Sequence, residues 1–139
     1  MERCLFCEII KENDPARKIA ESETVLVYLE DAGDVDGHMI IVPKKHVKNL
    51  IDCEFDLLMD LMTMVKELSI HCVDNCGFDG INLIKADDET MLSPSKHLHF
   101  HIIPRKKNDG LDTWPFFTGA KQKLTDMHQL LKMEDTLKD

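Results

Sequence analysis

His97, His99 and His101 occupy every second position of a short and otherwise apolar stretch, His97-Leu98-His99-Phe100-His101-Ile102-Ile103. Side chains alternate across an extended strand, so a strand over His97–Ile103 gathers the imidazoles on one face and Leu98, Phe100 and Ile102 on the other. The apolar face has an evident task, packing against a helix. The histidine face needs its own explanation, because imidazoles titrate near neutrality and repel one another once any is protonated. One reading is a solvent-facing polar stripe, which three histidines in strict alternation make improbable. A second is a metal site, since two histidines one residue apart on a strand both reach a zinc ion. A third is nucleophilic catalysis at phosphorus. There a neutral imidazole attacks while its other nitrogen donates to a fixed acceptor. The local pattern does not separate the last two. Cys4 and Cys7 add a Cys-x-x-Cys pair, by itself a weak metal signal.

These residues need elements to hold them. Cys4–Lys11 reads as a short helix with Phe6, Ile9 and Ile10 turned to a core, ended by Asp14-Pro15. Short strands follow near Lys18–Glu21 and Val25–Leu29, then an acidic loop from Glu30 to Gly37 and a strand over His38–Val42 stopped by Pro43. Asp52 is the expected N-cap of one long helix. In it Leu58, Leu61, Met62, Val65, Leu68 and Cys72 recur at helical spacing, and Asn75–Gly77 supplies the stop. A strand over Ile81–Lys85, a polar loop over Ala86–Lys96 and the histidine strand, ended by Pro104, complete the sheet. Leu124, Met127, Leu130 and Leu131 mark a tail helix. The expectation is an α+β domain, a mainly antiparallel sheet of about five strands with one long helix, a short N-terminal helix and a C-terminal tail helix. Residues 1–115 are assigned to the domain and 116–139 to a tail that belongs to the same unit.

Bulk properties narrow the partners. A chain of 139 residues suits one moderate core. Its formal charge of −9 is the wrong sign for wrapping nucleic-acid backbone. Lys44-Lys45-His46 with Lys48, and Arg105-Lys106-Lys107, read as solvated strand ends. No apolar run approaches a membrane span, and the opening residues carry no apolar leader, so a cytoplasmic protein is expected. An odd count of five cysteines argues for a reducing compartment; Cys53, Cys72 and Cys76 fall in the helical pattern as small buried or half-buried residues.

Several motifs agree in order and spacing. His97-x-His99-x-His101 followed by two apolar residues and Pro104-Arg105 resembles the motif that names the histidine triad (HIT) family. Gly37-His38-Met39-Ile40-Ile41-Val42-Pro43-Lys44-Lys45-His46 is similar to the family's strand-and-turn signature. Cys4-Leu5-Phe6-Cys7-Glu8-Ile9-Ile10 resembles the opening of its zinc-containing, bacterial-type members. Gly80-Ile81-Asn82 begins the strand before the triad, and Trp114 sits where many members place a tryptophan. The resemblance covers the first 115 residues. It implies that His99 is the nucleophile, attacking the α-phosphate of a nucleotide to form a covalent nucleotidyl-imidazole. His101 would hold phosphate oxygens, and His38 would belong to the relay that fixes the nucleophile's tautomer. Asn82 is carried over as a substrate-binding position. The resemblance also implies a structural zinc on Cys4, Cys7, His46 and His97, a closed Cys₂His₂ set. A homodimer paired through the long helix and a small purine nucleotide as substrate follow from the same likeness.

Three departures bear on activity. Where family members carry a glycine-glutamine-serine-type phosphate segment, this chain has Leu92-Ser93-Pro94-Ser95. Proline removes a backbone donor there, while Ser93 and Ser95 offer hydroxyls. The carboxylate expected at the ribose is Glu30 rather than an aspartate, and asparagines common near Lys85 and Ala86 are absent. One expectation is therefore a hydrolase or transferase acting on nucleoside phosphoramidates or dinucleoside polyphosphates. The alternative is a nucleotide-binding or regulatory module with weak or no turnover. A metal centre built on all three triad histidines ranks last.

Overall fold

The computed structural model describes residues 4–85, 96–112 and 117–133. Helix α1 (Leu5–Glu12) starts at Cys4, whose sulfur accepts the Cys7 amide, and ends at Asn13 in the left-handed region. Strands β1 (Lys18–Glu21), β2 (Val25–Leu29) and β3 (Met39–Pro43) form an antiparallel meander. Helix α2 (Phe55–Cys76) then crosses to β4 (Gly80–Ile84), and β5 (Phe100–Arg105) inserts between β3 and β4. The sheet order is β1-β2-β3-β5-β4, antiparallel at every junction. Helix α3 (Leu124–Leu131) lies in the tail. The α+β class, the five strands and the three helices are those the sequence predicts. Among the described residues, no helix is long and apolar enough to cross a membrane.

The sheet's two faces receive different partners. Val25, Val27, Met39, Ile41, Phe100 and Ile102, with Leu98 just before β5, pack against Leu61, Met64, Val65, Leu68 and Cys72 of α2. Leu26, Tyr28, Ile40 and Val42 face the other way and meet Phe6 of α1. Both faces of β2 and β3 are thus covered, which is why these strands read as unbroken apolar runs rather than alternating ones. Ile41 and Ile102 are fully buried, each contributing about 1.5–3 kcal/mol by leaving water.

Four local expectations are corrected. The helix cap is Glu54, with no side-chain cap bond, not Asp52; Asp52 is spent in the preceding turn, where its amide donates to Asn49 Oδ1 at 2.9 Å. Strand β5 begins at Phe100, so His97 and His99 precede the ladder. The Leu98 amide donates instead to the Val47 carbonyl at 2.7 Å, drawing this segment toward the turn after β3. Pro104 does not end the strand, because β3 flanks β5 only as far as the Met39–Ile102 pair. Cys53 lies before the helix and Cys76 is exposed on its last turn; Cys72 alone of the three is buried.

Candidate functional site

The histidines collect on the α1 face of the sheet. Ile40 pairs with His101 in register, and Tyr28 pairs with Ile40, so Tyr28, Ile40 and His101 form one row across three strands. His97 and His99 continue the row of alternate positions beyond the end of the ladder. Phe6 closes over them, its ring centroid 4.5 Å from that of His99 and 5.9 Å from that of His97. All three of His38, His97 and His99 are buried, and His101 is half-buried.

His99 has its tautomer set by the chain itself. Its Nδ1 lies 2.8 Å from the carbonyl oxygen of His97. A carbonyl only accepts, so Nδ1 carries the proton and Nε2 carries the lone pair. The His101 ring stands edge-on to His99, centroids 5.1 Å apart. Burial, then the adjacent His99, pushes the His101 imidazole down to about 4. His38 meets His101 rather than His99: its Nε2 is 2.8 Å from His101 Nδ1. On its other side, His38 Nδ1 lies 3.0 and 3.2 Å from the two oxygens of Asp34. That hydrogen bond holds the Asp34 carboxyl below the usual range.

The approach to His38 depends on Gly37. Its φ of +80° is one that only glycine adopts cheaply, and a Cβ there would stand 3.0 Å from Pro104 Cγ. The loop backbone is thereby pressed onto β5, which brings His38 to His101.

A second cluster lies at the other end of the histidine row. One ligand atom each from Cys4, Cys7, His46 and His97 falls within 4.8 Å of the others. Cys7 Sγ is 3.1 Å from His46 Nδ1, and Cys4 Sγ is 3.4 Å from His97 Nδ1. His97 Nε2 donates to the Pro43 carbonyl at 3.0 Å, turning Nδ1 toward the sulfurs. This is the outer hydrogen bond expected of a metal-ligating imidazole. Burial and the neighbouring Cys4 push the Cys7 thiol up to about 11, and a cation between the sulfurs would reverse that. The donor set and its spacing fit a tetrahedral zinc.

The remaining predicted positions are less uniform. Glu30 is half-buried at the end of β2, accepts the Asp31 amide at 3.1 Å and lies 3.8 Å from Arg17. Asn82 stands on the histidine face of β4 but at the level of Ile103, and its side-chain oxygen accepts from Arg105. Ser93, Ser95 and Trp114 lie outside the described residues. A cavity on the same face is lined by Ile9, Asn13, Arg17, Leu26 and Tyr28. The Tyr28 hydroxyl and the Asn13 side-chain Oδ1 are buried there without a hydrogen-bond partner among the described residues.

The family model described as the HIT domain matches residues 11–108. The chain belongs to the HIT family. Several curated proteins similar to it carry hydrolase names. The adenosine 5'-monophosphoramidase of Candida albicans is 31% identical to this HIT protein over 137 residues, covering 94% of this chain and 90% of that one. An uncharacterized HIT-like protein of Methanocaldococcus jannaschii is 36% identical over 107 residues, 77% of this chain and 82% of that one. Among solved structures, a zinc-bound histidine triad family protein from Mycobacterium smegmatis matches with a TM-score of 0.71 at 26% identity, covering 79% of this chain and 80% of that one.

Two contributors to the HIT site escaped the sequence reading. Phe6 reads as an ordinary core residue of the first helix, and Asp34 as one acid in an acidic loop. No local pattern marks Phe6 as the lid of the histidine row. For Asp34, the four-residue spacing to His38 is a signal only once the loop is known to fold back.

Proposed function

We propose that this HIT protein is a nucleotide hydrolase or nucleotidyltransferase in which His99 attacks the α-phosphate of a nucleoside phosphoramidate or dinucleoside polyphosphate. The observation that carries the reading is the His97 carbonyl on His99 Nδ1, which leaves the Nε2 lone pair as the nucleophile. In the first step Nε2 forms a bond to phosphorus, the bond to the leaving group breaks, and that group takes a proton from solvent water as it departs. The imidazole keeps its Nδ1 proton on the carbonyl, which favours the positive charge that develops on the ring. Water then attacks phosphorus and releases one proton to solvent, and His99 leaves as the neutral ring, so two lower barriers replace one. His101 binds a phosphate oxygen, and His38 holds His101 in place. Glu30 takes the ribose hydroxyls, Ser93 and Ser95 add hydroxyls near the phosphate, and Asn82 acts indirectly through Arg105.

Cys4, Cys7, His46 and His97 hold a structural zinc in this reading, tying α1 and the Pro43 turn to the segment that carries His99. The named content of the Mycobacterium smegmatis relative supports it, as does the donor geometry. In this reading residues 1–115 are the domain and the tail belongs to the same unit, although α3 buries none of its residues in the single chain; the protein acts as a homodimer and resides in the cytoplasm.

A second reading, a nucleotide-binding module with weak turnover, is favoured by Pro94, which lacks an amide where a phosphate would use one. Adenosine phosphoramidate turnover by wild type and His99→Ala decides between them. The enzyme reading expects wild-type turnover and a loss of at least about a thousandfold in the variant, with labelled nucleotide trapped on wild type alone. Tight AMP binding without turnover would favour the module. Metal analysis of protein never exposed to chelator should find one zinc per chain.

A further inference from the structure

Asp34, His38 and His101 form a continuous chain of hydrogen bonds that ends beside the nucleophile. Asp34 is a carboxylate held ionised by His38, so it can only accept. His38 Nδ1, 3.0 Å away, therefore carries a proton. What remains open to change is the proton between His38 Nε2 and His101 Nδ1, 2.8 Å apart. With His38 neutral, Nε2 accepts from His101 Nδ1–H, and His101 Nε2 is left as an acceptor. An acceptor opposes a phosphate oxygen. With one more proton, His38 donates from both nitrogens, His101 accepts on Nδ1, and His101 Nε2 becomes a donor. The two states differ by a single proton on the pair.

We propose that Asp34 is a positioning residue that lets the His38–His101 pair take up one proton from solvent when a phosphate binds, turning His101 Nε2 from acceptor to donor. Burial disfavours a charge on the His101 ring itself. Among the described residues, the charged and titratable groups facing His101 are Asp34 and His38 from the β2–β3 loop, His99 ahead of β5, and Lys85 beyond β4. His99, His38 and Lys85 oppose a proton on the His101 ring, and Asp34 favours one. Asp34 thus offsets the cost of gathering charge beside a triad that must meet an anion. Its side chain is about half exposed, 52%, so solvent moderates the effect without removing it.

This inference rests on the proposed phosphate position at His99 and His101, and the test separates the two. AMP binding is measured by calorimetry from pH 5.5 to 8.5 in buffers of differing ionisation heat, for wild type, Asp34→Asn and Asp34→Glu. Wild type should take up a sizeable fraction of a proton per AMP near neutral pH. Asparagine can still accept the Nδ1 proton but carries no charge. Asp34→Asn should therefore take up less, with the alkaline fall in affinity moved down by roughly one pH unit. Asp34→Glu should restore much of the wild-type profile. The same pH profile and uptake in Asp34→Asn as in wild type would overturn the role of Asp34 while leaving the site reading intact. Failure of wild type to bind AMP would overturn the site reading, and this inference with it.

Discussion

Each imidazole of the triad has a different neighbour, and the neighbour sets its task. His97 spends Nε2 on the Pro43 carbonyl and points Nδ1 at two sulfurs. His99 spends Nδ1 on the His97 carbonyl, and His101 spends Nδ1 on His38. Three identical side chains in one row thereby present three different sets of free and engaged nitrogens, the basis of the separate roles proposed for them. The depressed value of His101 has a consequence for stability. Its imidazole sits at about 4 in the folded protein, mainly through burial, against an ordinary 6.5. Above 6.5 both states hold it neutral and nothing changes. Between 6.5 and about 4 the unfolded chain binds the proton first, so stability falls as pH falls. The full loss from this one group is about 2–3 kcal/mol. Urea denaturation of wild type and His101→Asn across this range measures it. A shallower pH slope in the variant is expected, and identical slopes would place the acid sensitivity elsewhere.

At the scale of elements, the site is built where regular structure stops. The strands and the long helix were legible because burial imposes period and run length: β2 and β3, covered on both faces, show continuous apolar residues, and α2 shows its helical stripe. The alternation of histidines was legible too, and its apolar partners do face α2. What sequence could not supply was the point at which the ladder gives way. Leu98 pairs with Val47, far away in sequence, and that contact is invisible to any local window. The same holds for Asp34 and Phe6, whose partners lie 4 to 93 residues away through a folded loop or helix packing. The β2–β3 loop carries a testable constraint of its own. Gly37→Ala places a methyl group in the left-handed region and against a rigid proline ring. The backbone cost is about 1–2 kcal/mol, with more if Pro104 must shift. Equilibrium denaturation should show a loss of about 1–3 kcal/mol. Turnover should fall further than stability alone requires, because His38 is moved off His101. A variant with wild-type stability and turnover would show that the close approach is not needed.

For the whole molecule, α2 is apolar on more than the side it gives to the core. Leu61, Val65, Leu68 and Cys72 face the sheet, whereas Phe55, Met59, Ile70 and Val73 share a different face and are 82%, 67%, 50% and 44% exposed. Their spacing of four and three residues at either end of the helix places them along one line. Leu83 of β4, 41% exposed, is another large apolar side chain in the α2–β4 region. Exposed Lys66 lies between the Phe55–Met59 and Ile70–Val73 pairs on this line, so the face carries two apolar patches of the kind that partners cover. A two-fold pairing would let each copy bury the row against its equivalent, since an isologous contact needs only one self-complementary patch. The homodimer proposed above would cover these side chains. Sedimentation should report twice the chain mass of 16.0 kDa. Met59→Glu combined with Ile70→Glu puts carboxylates on the row without touching the core or the histidines. The pair should give a folded monomer whose α1 face still binds AMP. A wild-type chain that sediments as a monomer at micromolar concentration would leave the row without the partner proposed for it.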